Sequence, residues 1–236
     1  MRYRETRAVV RKELASYFAT PVAYIVITVF LAVTGWFFFS TFFLYGQAEL
    51  RAFFQLLPLM LSFVVPAVTM RLFAEEKHSG SFEILMTLPV STRDVVAGKM
   101  LAGSIFVMIM LAPTILYAVS VALVGSLDPG PMIGGYIGAA LLGGAYSAIG
   151  VFASSLTKNQ IVAFIIGLAI CLTLTLVDKF LFFLPSGLLN VLEYLGADYH
   201  FRNISRGIID TRDLLYFLSL IAIALIGTTK LIEKRR

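Results

Sequence analysis

Charge is scarce in this chain. Only 14% of its 236 residues are Asp, Glu, Lys or Arg, while 59% are hydrophobic. A soluble domain carries about 25% charged residues, so a water-soluble globular fold is excluded. Cysteine is nearly missing. Cys171, the only one, has no intrachain disulfide partner and reads as a small core hydrophobe in an apolar run. The two histidines, His78 and His200, stand far apart. Neither has a metal-ligand spacing around it, and neither reaches a buried serine such as Ser147 to make a nucleophile–base pair. A phosphate loop is lacking as well. Gly98-Lys99 is a near match to G-x-x-x-x-G-K-[ST], but Arg93 occupies the first glycine position and Met100 the hydroxyl position. The chain is therefore expected to hold no metal or cofactor and to be no enzyme.

What is present is apolar length. Charge-free stretches run over 14–48, 52–70, 100–127, 129–157, 159–177 and 214–229. Crossing about 30 Å of hydrocarbon takes about 20 apolar residues in a helix. Runs this long, without strict alternation, select helices over a barrel. The expected fold class is an all-α integral membrane protein with six spans: 22–45, 53–70, 101–124, 133–155, 161–177 and 214–232. The whole of 1–236 reads as one transmembrane domain. The uncharged run 180–192, broken by Pro185 and Gly187, is too short for a seventh span and reads as re-entrant or interfacial.

The basic residues are uneven. With the N-terminus inside, 14 of the 19 Lys and Arg fall on the cytoplasmic side and 5 outside, while the acids divide evenly. The positive-inside rule then places both termini in the cytoplasm. The basic excess thus reads as topology and contact with anionic lipid, not as nucleic-acid binding.

Residues 4–18 space Val10, Leu14, Tyr17 and Phe18 helically, with Arg4, Arg7, Arg11 and Lys12 on other faces. This predicts an amphipathic helix in the cytoplasmic interface, ended by Pro21. Pro58, Pro66 and Pro113 predict kinks in spans two and three. Pro-Gly-Pro at 129–131 reads as part of an outer turn. Gly135, Ala139, Gly143 and Ser147 recur every fourth residue in span four, and such small residues allow close helix packing in lipid. The largest outer segment, 178–213, carries Asp198, Tyr199 and His200, read as polar residues of a solvated loop.

The 71–99 loop is the most informative stretch. Gly80 breaks any helix descending from span two. Phe82, Leu85, Met86 and Pro89 then follow at i, i+3, i+4 and i+7, a short helix with one greasy side. Ser91 and Asp94 form a capping-box pattern before span three. Such a helix has no core of its own. Glu75, Glu76, Glu83 and Asp94 around it disfavour anionic lipid and favour a protein partner.

This loop resembles the coupling helix of the ABC-2 type permease family: Glu76, Gly80-Ser81, Glu83, Leu85, then Leu88-Pro89-Val90-Ser91 and Gly98-Lys99. Lys12-Glu13 through Pro21 resembles the family's N-terminal interfacial helix, and 204–213 is similar to its gliding-motility branch. The resemblance implies a permease subunit of the bacterial inner membrane, acting in export or extrusion. Two separate ATPase subunits would carry ATP and Mg, and a second permease copy or a related permease would complete the membrane domain. ATPase coupling would fall on Glu75, Glu76, Gly80, Ser81, Phe82, Glu83, Leu85, Met86 and Pro89. A secondary cytoplasmic contact would fall on Leu156, Thr157, Lys158 and Asn159. The competing readings are an ion-coupled secondary transporter and a scaffold or force-transmitting subunit. Charge-free span cores argue against the first, and a coupling-type loop has no use in the second. They also favour a lipid-linked or hydrophobic cargo over a polar ion.

Overall fold

A computed structural model describes residues 2–45, 50–87, 90–125, 128–179, 194–208 and 210–234. Among them there is no strand. Helix α1 is Arg2–Phe18, α2 is Pro21–Tyr45, α3 is Arg51–Thr69, α4 is Arg71–Ser79 and α5 is Ser81–Thr87. Then come α6 (Thr92–Leu111), a 3-10 turn (Ala112–Thr114), α7 (Ile115–Val124), α8 (Pro129–Leu156), α9 (Gln160–Leu176), α10 (Ala197–Ser205) and α11 (Thr211–Glu233).

Local chemistry sets most of these boundaries. Side chains of Ser91, Asp128, Asn159 and Asp210 cap α6, α8, α9 and α11 by accepting first-turn N–H bonds. Gly80 ends α4 at φ +78°, a left-handed conformation that glycine adopts without a Cβ penalty. Pro113 cannot donate an N–H, and the helix tightens to a 3-10 turn there before resuming as α7. One expectation is corrected. Pro-Gly-Pro at 129–131 opens α8 instead of belonging to a turn, because first-turn residues need no intrahelical donor.

Among the described residues, five helical stretches are long and apolar enough to cross a membrane: Pro21–Phe42, Arg51–Ser79, Thr92–Val124, Pro129–Leu156 and Thr211–Glu233. The fifth expected span, 161–177, corresponds to α9, a shorter apolar helix of 17 residues. The 71–99 loop is largely helical, and span two continues past Met70 into α4 with only a turn between them.

Helix α8 is the most enclosed of the long helices and packs against α3, α4, α6, α9, α10 and α11. Its small residues permit this. Gly135 lies against the Phe54 ring, and Gly150 against Thr69. A Cβ at Gly143 would stand 2.7 Å from Val107 Cγ1. Ala139 and Ser147 are wholly buried. The small-residue stripe thus lies against helices of the same chain, where close approach maximises dispersion contact.

Candidate functional site

The α4–α5 elbow is held from three sides. Met70 separates α3 from α4, and the side chain of Ser154, near the end of α8, bridges the junction. Its hydroxyl accepts from the N–H groups of Phe73 (2.9 Å) and Ala74 (3.0 Å) and donates to the Met70 carbonyl (2.6 Å). Buried backbone groups at a helix start need such partners. Beside it, Lys77 of α4 donates to the Ser155 carbonyl and lies 5.2 Å from the Phe82 ring centre. The 154–160 turn is thereby joined to α4.

From the second and third sides come α1 and α6. Lys99 is 1% exposed. Its ammonium donates to Glu13 Oε1 (2.7 Å), Glu76 Oε1 (2.9 Å) and the Leu72 carbonyl (2.7 Å), and sits 5.0 Å from the Phe73 ring centre. Lys12 reaches Glu76 Oε1 at 2.9 Å and Glu13 Oε1 at 3.6 Å from the solvent side. Two cations and two carboxylates, from α1, α4 and α6, therefore neutralise one another. Burying any of these charges alone would be costly; together they balance, with Glu76 Oε2 left buried without a hydrogen bond among the described residues. Burial pulls the Lys12 ammonium pKa down, but Glu76 and then Glu13 outweigh it and leave it raised. Around this cluster, Thr6 donates to Asp94 at 3.2 Å. Arg71 stacks on Tyr17 at 4.5 Å and donates to Ser16 Oγ at 3.2 Å. Tyr17 Oη in turn donates to the Val68 carbonyl at 3.2 Å. Burial, against the pull of Arg71, raises the Tyr17 phenol above its ordinary value.

The loop residues singled out in the sequence separate into two groups. Glu75, Gly80, Ser81 and Glu83 are exposed. Glu76 turns inward to the ion cluster, and Phe82 and Leu85 are half-buried against the chain's own core, Phe82 lying 6.2 Å from Phe73. The greasy side read from spacing is thus partly covered by α4, and among the described side chains of α5 the exposed large apolar group is Ile84, 67% accessible. Met86 belongs to α5, but its side chain and all of Pro89 lie outside the described residues. Leu156 ends α8, Thr157 and Asn159 form the turn, and Lys158 is exposed there.

Sequence reasoning missed the ion cluster and Ser154. One signal was available: Glu13 falls between Val10 and Tyr17 on the apolar stripe of α1, an expensive place for a lone carboxylate. Lys99, the lysine of the rejected phosphate-loop match, is spent in this cluster.

A second buried polar group lies toward the other end of α8. The expectation of a solvated loop is corrected there. Asp198 and His200 belong to α10 and are buried, because α10 packs into the groove between α8, α3 and α11. His200 Nε2 donates to the Tyr194 carbonyl (2.9 Å), and Nδ1 lies 2.6 Å from Asp213 Oδ1, within hydrogen-bond distance. Its ring stacks on Tyr216 at 4.0 Å. Arg202 pairs with Asp178 and with Asp198 (3.5 Å), and Lys179 with Asp198 (3.2 Å). Burial, then the charge of Asp198, raises the Asp178 carboxyl. Among the described residues no group of three metal-ligating side chains comes together.

An all-helical, multi-pass membrane protein with a braced helical elbow at one end of its central helix is the class that fold and site define. The family model of ABC-2 family transporter proteins matches residues 40–226. The chain belongs to that family, and is a transmembrane subunit of an ABC transporter, a class that works with ABC ATPase partners. The match spans α3 to α10 and most of α11, and leaves α1 outside. No curated protein sequence matches the chain.

Proposed function

We propose that this chain is one permease of an ABC-type exporter or extruder, and that its α4–α5 elbow receives the stroke of a separate ATPase. Two such ATPase subunits, holding ATP and Mg, would serve a pair of permeases, either two copies of this chain or this chain and a relative. The observation that carries the reading is the bracing of α4: Ser154 ties it to α8, Glu13 and Lys12 to α1, and Lys99 to α6. A push on α5 passes through Gly80 into a helix that cannot move without three others, which is rigid-body gating. Glu75, Ser81, Glu83 and Ile84 face outward for the contact, with Gly80, Phe82 and Leu85 beside them, and Met86 and Pro89 are assigned to the same contact by sequence alone. Leu156, Thr157, Lys158 and Asn159 form the secondary contact.

In this arrangement α2, α3–α4, α6–α7, α8, α9 and α11 make six spans of a bacterial inner-membrane protein with both termini cytoplasmic. Helix α9, at 17 residues, extends about 26 Å, sufficient with its flanking turns. The dry span cores fit a lipid-linked or hydrophobic cargo moved outward. The 204–213 segment supports a place near the gliding-motility branch.

The test uses the single native cysteine. In a Cys171→Ala background, a cysteine at Ile84 should react with an impermeant maleimide only from the cytoplasmic side, and one at Arg212 only from outside. Replacing Ile84 and Glu83 with Glu and Lys should remove a co-purifying Walker-motif ATPase while membrane insertion is retained. Labelling of Ile84 from outside, or undiminished ATPase recovery, overturns the proposal.

A further inference from the structure

We propose that the outward face of α1 binds the phosphate of an anionic phospholipid headgroup. The sequence pattern places the apolar side of α1 toward lipid, but tertiary packing consumes it. Tyr17 is buried, Leu14 and Phe18 lie against the core, and Val9 closes on Gly98 of α6. Glu13 is held by Lys99. The outward residues of α1 include Arg7, Ala8, Arg11, Lys12 and Ala15, which line an open concavity of about 630 Å³.

Three observations make this an anion site. First, Arg7 and Arg11 stand one helical turn apart and have no hydrogen bond or ion pair among the described residues. Like charges at this spacing repel, and an anion between them reverses the sign. Second, Lys12 at the rim is already paired with Glu76 and Glu13, so those carboxylates are not left to neutralise the arginines. Third, the two alanines leave the floor open, and among the described side chains of α1 no large exposed apolar group is present to insert among acyl chains.

Position selects the lipid over a soluble anion. Only Ala19 and Thr20 separate α1 from the membrane-crossing α2. The face of α1 opposite the arginines packs on α6 at Gly98, two residues before the charge-free stretch beginning at Met100. Both neighbours place α1 at the level where hydrocarbon gives way to headgroups. A lipid phosphate seated there would bear on the same helix that grips α4 and α6 through Lys12 and Glu13. This inference needs α2 to cross the bilayer; it does not need the transport reading, and its test involves no ATPase.

The full chain, reconstituted in nanodiscs of mixed phosphatidylglycerol and phosphatidylcholine, is probed with spin-labelled lipids of each kind. Wild type should hold labelled phosphatidylglycerol over phosphatidylcholine by about five-fold, with the preference shrinking as salt rises. Arg7→Gln with Arg11→Gln should bring the preference near parity, and Arg7→Lys with Arg11→Lys should retain most of it. Arg212→Gln, on the far end of the molecule, should leave it unchanged. An unchanged preference in the double glutamine variant overturns the site. So does equal loss in the Arg212 variant, or abolition by millimolar inorganic phosphate, which would mark a soluble-anion site. Loss of a bound acidic protein from the glutamine variant, with lipid preference intact, would assign the face to that protein instead.

Discussion

The two ends of α8 both bury charge, but they use it differently. Gly134 at one end lies against Ile204 of α10, and Ser154 at the other bonds to α4. Twenty residues of helix separate those contacts, about 30 Å, the thickness of a hydrocarbon layer. At the Ser154 end, Lys12, Glu13, Glu76 and Lys99 join helices that are distant in sequence, and the exposed elbow is attached to that knot. At the Gly134 end, Asp178, Lys179, Asp198, Arg202, His200 and Asp213 belong to neighbouring segments, and the cluster is packed with aromatic rings. The lesson is that burial of charge by itself does not mark a working site. What distinguishes the first end is that its ion pairs connect a projecting element to several spans, whereas the second end fastens a short helix in place.

Breaking each end should therefore give different phenotypes. The largest effect is expected from Lys99→Met, which leaves Glu13 and Glu76 facing only one exposed cation, Lys12. Removal of one partner from a buried pair costs about 3–5 kcal/mol. Denaturant unfolding in detergent should register that loss, and adding Glu13→Gln and Glu76→Gln should recover most of it. A single variant as stable as wild type would show that the knot contributes little. At the other end, His200→Ala removes the partner of Asp213 and the Tyr216 stack, for about 2–3 kcal/mol. ATPase co-purification should survive His200→Ala in the folded fraction; its loss would erase the functional distinction drawn between the ends.

Ser154→Ala should cost about 1–2 kcal/mol by stranding the Phe73 and Ala74 N–H groups. It should also speed hydrogen exchange at those two amides before anywhere else in α4. Smallest is Gly80→Ala, about 1 kcal/mol, from forcing a Cβ into the left-handed region. Nothing lies within 4 Å of that Cβ, so the strain is purely backbone. Circular dichroism should be unchanged and the melting temperature slightly lowered.

Much of the architecture was legible because it depends on neighbours within a turn or on solvent. Apolar length announced the helices, Gly80 the end of α4, Ser91 the start of α6 and Pro113 the interruption before α7. Length alone left α9 as a shorter helix, and the Pro-Gly-Pro segment misled because proline serves turns and helix starts equally well. In the elbow, helical spacing found an apolar side but could not say that Phe82 and Leu85 rest on the chain's own core while Ile84 stays outside.

Hydropathy and local hydrogen-bonding chemistry, written residue by residue, determined that this chain is a multi-pass helical membrane protein with a broken helix after its second apolar stretch. Which charges meet was decided only in three dimensions. Glu13 and Lys99 are 86 positions apart, and counted along the chain they are merely two entries in a charge balance. They become one buried pair because α1, α4 and α6 pack together, and a buried charge must take its partner from whatever packing brings near.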